Sequence, residues 1–444
     1  MKTEDARFNQ TKLTDLTPFR KVSVLDVGGG AVGSYLAELQ AKMGLNHLSI
    51  NDIDRYELDN ASKTSSLIKL SEADGAEDDG KWKAEALAER VETVMIKGSK
   101  ANGIVGSVEN LGPMAFSAFD YVCAAPDNKA VREYINQQLK ELPPEKRPVY
   151  IVGGTDGEMA TSAVFDDLDK ACYRCMCEEH SFRSSRRRTS CADAQYRFTK
   201  EGKEETIIVS NLSSVKAALM MADDLRAKAT GKLPNGNRSR VWNPDSLFPP
   251  ITCEELARRD DCPDCAKIRP PKEVYTLDGD VMTSTLRSVL KQIHDVLKSD
   301  DFALSVHRHH FGEDSFTEYV QTDYCRSCGK TFGVYRHTRF VNTEKDLLCE
   351  ACRSRGAEVR ADVTPGEVNI RYGFTPDESD ARILDATLFE LGYPIGAFLL
   401  VTQYNGANDL SDERVRNYCF SMNGDLLIVK KNINLMEAFK NGQR

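Results

Sequence analysis

The 444-residue chain has no apolar run long enough to span a bilayer and no N-terminal apolar segment of the signal-peptide kind. It has no excess of positive charge either. The formal net charge is −9, which disfavours a non-specific grip on nucleic acid. No internal repeat is visible along it. These absences lead to the expectation of a cytoplasmic protein with no membrane or nucleic-acid partner. Its apolar content of 41% suffices for a sizeable core in each of two or three domains. Disulfides are rare in a cytoplasmic setting, so the 13 cysteines need another reason, and eight of them form four Cys-x-x-Cys pairs.

What is present is organised around Val22 to Asn60, which reads VSVLDVGGGAVGSYLAELQAKMGLNHLSINDIDRYELDN. A short apolar run, Val22 to Val27, ends in three glycines, and a helical pattern follows through Tyr35, Leu36, Leu39 and Met43. A second apolar run, His47 to Ile53, carries Asp52 near its end, with Asp54 just beyond. The order strand, glycine turn, helix, strand is that of a mononucleotide-binding unit. Gly28 permits the tight turn, Gly30 lets a phosphate approach the backbone, and Gly33 lets the helix sit close to the strand. The helix N-terminus then offers free amides and a positive dipole end to the phosphates, and Asp52 stands where a carboxylate binds ribose hydroxyls.

The glycine pattern alone does not choose between a dinucleotide cofactor and ATP. Downstream come Asn60, Lys63, Gly80-Lys81-Trp82-Lys83 and, after the apolar run Tyr121 to Ala125, Pro126-Asp127-Asn128. A hydride-transfer enzyme has no need of so many polar groups beside the phosphates. A nucleotidyl-transfer enzyme needs cations for a triphosphate and a carboxylate for magnesium.

In that combination and order, GGGAVGS, NDIDRYELDN, GKWK, APDN and CYRC…CPDC resemble the ThiF/MoeB group, the adenylation domain of ubiquitin-activating enzymes, over Arg7 to Lys267. The resemblance implies that Asp52 holds the ribose, that Asn60 and Lys83 face the phosphates, and that Asp127 holds magnesium. Asp54, Lys63 and Asn128 join the same ATP site, and Lys83 and Asp127 count as catalytic. Two positions depart from the family pattern. Lys63 stands where an arginine is usual, and the RYNR-like opening reads Arg7-Phe8-Asn9-Gln10, without the arginine that reaches the partner subunit's nucleotide. A homodimer is still the simpler expectation, since only one nucleotide unit is visible.

The cysteines fit the same scheme. Cys172 and Cys175, with Cys262 and Cys265, supply four thiolates suited to tetrahedral zinc. Their long separation suits a metal that ties the end of a domain back to its middle, and the resemblance supports the pairing; unligated or redox thiols are the alternative. Cys325, Cys328, Cys349 and Cys352 are spaced as a zinc ribbon outside the resemblance, so two zinc ions per chain are expected. His307, His309 and His310 read as a polar strand or loop in preference to another metal site.

Cys191 follows Arg183, Arg186, Arg187 and Arg188, and clustered cations favour the thiolate. By resemblance it stands where ubiquitin-activating relatives carry a cysteine that accepts the activated carboxyl as a thioester; the other reading is a plain loop cysteine. Cys177 is its nearest rival, and Cys123, Cys253 and Cys419 read as packing residues.

The expected fold is α/β: a Rossmann-like adenylation domain with a four-cysteine zinc site over 1–268, a zinc-ribbon region over 269–375, and a small α+β module over 376–444. Leu70 to Asp79 reads as a mobile loop, and Leu426 to Val429 as the second arm of a hairpin. The expected activity is ATP-dependent adenylation of the C-terminal carboxylate of a ubiquitin-like protein, followed by thioester formation and transfer to a conjugating enzyme. Sulfur-carrier activation of the ThiF/MoeB type is the near alternative. A nicotinamide-dependent oxidoreductase and a non-catalytic zinc scaffold with a degenerate nucleotide pocket are the rivals from other classes.

Overall fold

The computed structural model describes residues 15–71, 75–177, 196–198, 204–206, 211–233, 235–244, 251–306, 319–325, 327–329, 331–337, 348–357 and 373–436. They divide into two compact units, Met1–Pro270 with Leu426–Arg444, and Pro271–Asp425.

The first unit is built on a nine-stranded sheet. Its strands are β1 (Ser23–Val27), β2 (His47–Asp52), β3 (Lys100–Val105), β4 (Tyr121–Ala124), β5 (Val149–Asp156), β6 (Met159–Phe165), β7 (Arg238–Trp242) and β8 (Ile251–Glu255). The ninth is a short strand from the far end of the chain, Ile433–Asn434, which lies parallel to β3 at the edge. The spatial order is β8-β7-β6-β5-β4-β1-β2-β3 and then Ile433–Asn434. Strands β3, β2, β1, β4 and β5 are parallel, and β6, β7 and β8 add on antiparallel. The central runs SVLDV and YVCA are buried almost throughout, as strands covered on both faces must be.

From β1 the chain crosses to β2 and β3 on one side, and from β4 to β5 on the other. Right-handed crossovers that diverge from the β1–β4 seam put helices on both faces of the sheet. Helix α1 (Ala31–Lys42) follows β1, α2 (Lys83–Glu92) precedes β3, and α3 (Lys129–Glu141) links β4 to β5. The long α4 (Asn211–Ala229) packs on α1, β5 and β6. Side chains of Leu36, Ala37, Ala41, Leu87, Val91, Ala217, Ala218, Met221 and Leu225 fill the core between them.

The second unit holds a five-stranded sheet formed by Tyr275–Leu277, Arg416–Met422, Leu399–Gln403, Phe302–Ser305 and Gly373–Phe374, in that spatial order. Helix α5 (Leu286–Leu297) buries Leu286, Val289, Leu290 and Ile293, the spacing of one helical face. Thr285 caps it by accepting from the Ser288 amide, and Lys298 ends it in the left-handed region at φ 54°.

One sequence expectation changes here. Residues Asp425–Ile428 form a short helix, not a strand. The Asp425 carboxylate accepts from the Val281 amide at 2.9 Å and the Gly396 amide at 2.7 Å, which holds the chain at a turn where a hairpin arm would continue straight. In the acidic stretch Leu70 to Asp79, Asp78 is fully buried. It accepts from Arg90 Nε at 2.8 Å, Arg90 Nη2 at 2.9 Å, the Lys69 amide at 2.9 Å and Lys81 Nζ at 3.1 Å. A carboxylate so engaged ties Lys69, Lys81 and Arg90 together, because removing it from water is offset only while those donors stay in place.

Candidate functional site

The glycine turn lies at the C-terminal end of β1, beside the end of β4, where the strand order reverses. Ligands of open α/β sheets bind at this point. Gly28 has φ +100°, and a Cβ there would stand 3.1 Å from the Ala125 carbonyl and the Pro126 nitrogen. A Cβ at Gly33 would fall 1.7 Å from the Gly28 carbonyl oxygen, so only glycine lets α1 start this close to β1. At Gly30 the corresponding space is open. Gly30 is the N-cap of α1 and brings no side-chain cap, so the first-turn amides face that space with the positive end of the helix dipole.

Asp52 closes the turn from β2. Its Oδ2 accepts from the Gly29 amide at 2.6 Å and its Oδ1 from the Asp54 amide at 2.8 Å. Burial pushes its carboxyl up, while Lys83 and these two amides pull it back. Lys83 is the first residue of α2; its amide donates to the Asp54 carbonyl at 2.8 Å and its Nζ lies 3.3 Å from Asp54 Oδ2. Gly29, Asp52, Asp54 and Lys83 therefore form one cluster at the mouth of the turn.

Asn60 and Lys63 lie on the next turn, whose hydrogen bonds are local. Asn60 donates to Asp59 Oδ1 at 2.8 Å and accepts from the Glu57 amide at 3.4 Å, and Lys63 is exposed. That turn is fastened to α1 by the Ser65 amide, which donates to Ser34 Oγ at 3.0 Å, and by Tyr35 Oη, which donates to the Thr64 carbonyl at 2.9 Å. Asp127 is exposed in the bend after β4, and Asn128 caps α3 by accepting from the Ala130 amide at 2.8 Å.

Four further residues hold the site without having been singled out by pattern. Tyr56, fully buried, donates to the Gly29 carbonyl at 2.7 Å. Arg132 reaches the carbonyls of Pro126 at 2.7 Å and Gly153 at 3.0 Å. Asp78, through Lys81, anchors the segment leading to Lys83, and the Arg55 guanidinium stacks 3.8 Å from the Trp82 ring centroid beside it. Tyr56 stands within the quoted NDIDRYELDN, but nothing in a strand or helix period marks a loop tyrosine that reaches back across 27 positions.

Cys172, Cys175, Cys262 and Cys265 converge, buried, with all four sulfurs within 4.8 Å of one another and Cys172 3.5 to 3.7 Å from each of the other three. Tetrahedral zinc at about 2.3 Å from each thiolate requires sulfurs about 3.8 Å apart, so the donor set fits that ion. The group is seated on α3: Asn136 donates to Asp264 Oδ2 at 2.9 Å and accepts from the Tyr173 amide at 2.9 Å. Cys325, Cys328, Cys349 and Cys352 form a second such group, with Cys328 and Cys349 sulfurs 3.8 Å apart and Gly329 at φ +68° in the knuckle. Cys177 belongs to neither group; its carbonyl accepts from Arg259 at 2.8 Å. Cys123 and Cys419 are buried as expected of packing residues, whereas Cys253 is exposed on β8. Arg7, Gln10, Arg183, Arg186, Arg187, Arg188, Cys191, His307, His309 and His310 lie outside the described residues.

A cavity of about 580 Å³ opens near the start of β5, at the end of the parallel strands opposite the glycine turn. Its charges are paired, Lys228 with Asp166 and Arg147 with Asp169, so it offers no competing centre.

The fold and site define a Rossmann-like α/β protein with a glycine-turn cleft and two four-cysteine groups able to hold zinc. The ThiF family model matches residues 4–267, and the chain belongs to the ThiF family, a family of adenylyltransferases. Among solved structures it is similar to E. coli MccB with ATP, at 16% identity and TM-score 0.42 over 56% of this chain and 68% of that one. It is also similar to the microcin C7 biosynthetic enzyme MccB in complex with N-formylated MccA, at 15% identity and TM-score 0.42 over 56% and 68%. For PaaA the values are 14%, 0.40, 58% and 74%. No curated protein matches the chain. Among the described residues no helix is long and apolar enough to cross a membrane.

Proposed function

We propose that this protein binds ATP at the glycine turn and adenylates the C-terminal carboxylate of a ubiquitin-like protein. The observation that carries the reading is the cluster of Gly29, Asp52, Asp54 and Lys83 at the point where the strand order reverses. The amides of the first turn of α1 and Lys83 receive the phosphates, with Asn60 and Lys63 approaching from the adjacent turn. Asp52 takes the ribose, and Asn128 orients the bend that carries Asp127. Asp127 is the residue that would hold magnesium, which supplies further neutralisation of phosphate charge when bound.

A carboxylate oxygen of the substrate attacks the α-phosphorus. The bond from that phosphorus to the bridging oxygen breaks, pyrophosphate leaves, and the acyl-adenylate remains. Negative charge grows on the departing pyrophosphate, and Lys83 is placed to stabilise it. In a second step the Cys191 thiolate attacks the acyl carbon, AMP leaves, and the thioester is handed to a conjugating enzyme. The four-cysteine groups have no open position and serve structure. A homodimer in the cytoplasm is the assembly we favour, with sedimentation at micromolar concentration as its check.

The deciding experiment is ATP–pyrophosphate exchange with candidate ubiquitin-like proteins. Exchange that depends on a free C-terminal carboxylate supports the reading. Exchange stimulated only by a sulfur-carrier protein redirects it to that substrate, and ATP binding without exchange leaves the zinc scaffold as the answer.

A further inference from the structure

The last described residues of the chain return to the nucleotide domain and meet β2, β3 and the first turn of α2, the elements that carry Asp52 and Lys83. Asn432 Oδ1 accepts from the Gly103 amide at 2.7 Å, and Ile433–Asn434 pair with Ile104 and Val105. Gly103 lies directly under the start of α2: a Cβ there would stand 2.8 Å from the Ala84 carbonyl oxygen and 2.9 Å from Glu85 Cα. Asn434 Nδ2 reaches Glu85 Oε1 at 3.3 Å. The tail thus touches the turn of helix that begins with Lys83.

On the other side, Leu435 is fully buried and packs on Gly106, where a Cβ would stand 3.0 Å from the leucine Cβ. The Gly106 amide donates to the Asp52 carbonyl at 3.0 Å. Asn51 Nδ2 donates to the carbonyls of Ile104 and Gly106, both at 2.9 Å. Ser49 Oγ donates to the Val429 carbonyl at 3.2 Å. Ser49 and Asn51 share one face of β2, and both are buried. Two polar side chains on one face of a central strand would suggest solvent exposure, yet here they are covered and hydrogen-bonded.

We propose that Val429–Leu435 is a brace for the nucleotide centre, with Asn432 as a positioning residue that acts through Gly103 on Lys83 and, with Leu435, through Gly106 on Asp52. The brace rests on the ATP reading given above. It holds β3 at the height where its end supports both the Asp52 backbone and the first turn of α2. Without it the two charged side chains keep their sequence positions but lose their common support. The expected effect falls on ATP affinity more than on the fold, because Asn432 is exposed and contributes little to the core.

The test uses the full-length protein with Asn432→Ala, Asn434→Ala and Asn432→Asp. Asn432→Asp keeps an acceptor for the Gly103 amide and serves as the rescue. Asn432→Ala is expected to raise KM for ATP about fivefold, the effect of one lost hydrogen bond, while turnover at saturating ATP changes less than twofold. It is also expected to speed amide exchange in Gly28–Ala31, which the variant residue does not touch. Asn432→Asp restores both, and Asn434→Ala gives a smaller shift in the same direction. Parent-like KM and parent-like exchange at Gly28–Ala31 in Asn432→Ala would overturn the brace. Should the parent protein bind no ATP in a direct titration, the nucleotide reading falls, and the exchange comparison still decides the brace.

Discussion

The Gly29 amide donates a 2.6 Å hydrogen bond to Asp52 Oδ2, tying the turn after the first strand to the end of the second. Asp52 therefore shapes the cradle as well as offering an oxygen to a ribose. Asp52→Ala is expected to raise KM for ATP by about tenfold or more, with a smaller change in turnover, because the ribose is remote from the reacting phosphorus. Asp52→Asn, which keeps an acceptor for Gly29, should recover part of the loss. Equal losses in KM and turnover for both variants would point to a different role.

Lys83→Ala and Asp127→Ala are expected to abolish pyrophosphate exchange with little change in melting temperature. The side chain of Lys83 is 15% exposed and meets Asp54 at 3.3 Å, while Asp127 is exposed, so neither deletion opens the core. The loss should be about a hundredfold or more, the scale of removing a charge that stabilises the transition state. Either variant exchanging at the parent rate would remove that residue from the mechanism.

Elemental analysis is expected to find two zinc ions per chain. Cys262→Ser should unfold the first unit, because a structural metal contributes its binding energy to folding and the group pins Cys172 and Cys175 to α3. Circular dichroism after metal removal with a strong chelator should show the same loss. A chain that keeps its melting temperature without metal would overturn the structural role.

Asp26 gives a prediction about pH. It is 1% exposed, accepts from Gln40 Nε2 at 3.0 Å, and its other oxygen has no partner among the described residues. Burial pushes its carboxyl up to about 7 from 3.8. A raised carboxyl stabilises the fold at low pH, where it is protonated in both states. That stability is lost as pH rises from about 4 through about 7, since the unfolded chain releases the proton first. The change is on the order of 4 kcal/mol. Asp26→Asn should match the parent near pH 4 and exceed it in melting temperature at pH 8. Equal pH slopes for the two proteins would show that Asp26 does not titrate as its burial requires.

Cys191→Ala should still catalyse pyrophosphate exchange and should lose a reductant-sensitive adduct with the ubiquitin-like partner. Adenylation needs the phosphate site and not a thiol, whereas a thioester needs the nucleophile. An adduct that persists in the alanine variant moves the search to Cys177, with zinc content measured alongside because Cys177 follows a metal hook.

Much of this protein was legible as sequence because the signals are local. Three glycines between an apolar run and a helical period give the turn by backbone sterics alone, and Gly28 and Gly33 prove to be positions where a Cβ has no room. The Cys-x-x-Cys spacings announce thiolate pairs. What joins Cys172 and Cys175 to Cys262 and Cys265 is a contact across about ninety residues, and spacing could suggest it only as a choice among pairings. Tertiary structure alone decided the rest. The reach of Tyr56 back to Gly29, the seating of Asn136 against Asp264, and the return of Ile433–Asn434 to β3 all depend on partners far away in the chain. A residue's period along its own strand or helix reports which face it occupies, but not what the rest of the chain lays over that face. Ser49 and Asn51 share a face of β2 and are polar yet buried, because the Val429 carbonyl accepts from Ser49 and the carbonyls of Ile104 and Gly106 accept from Asn51.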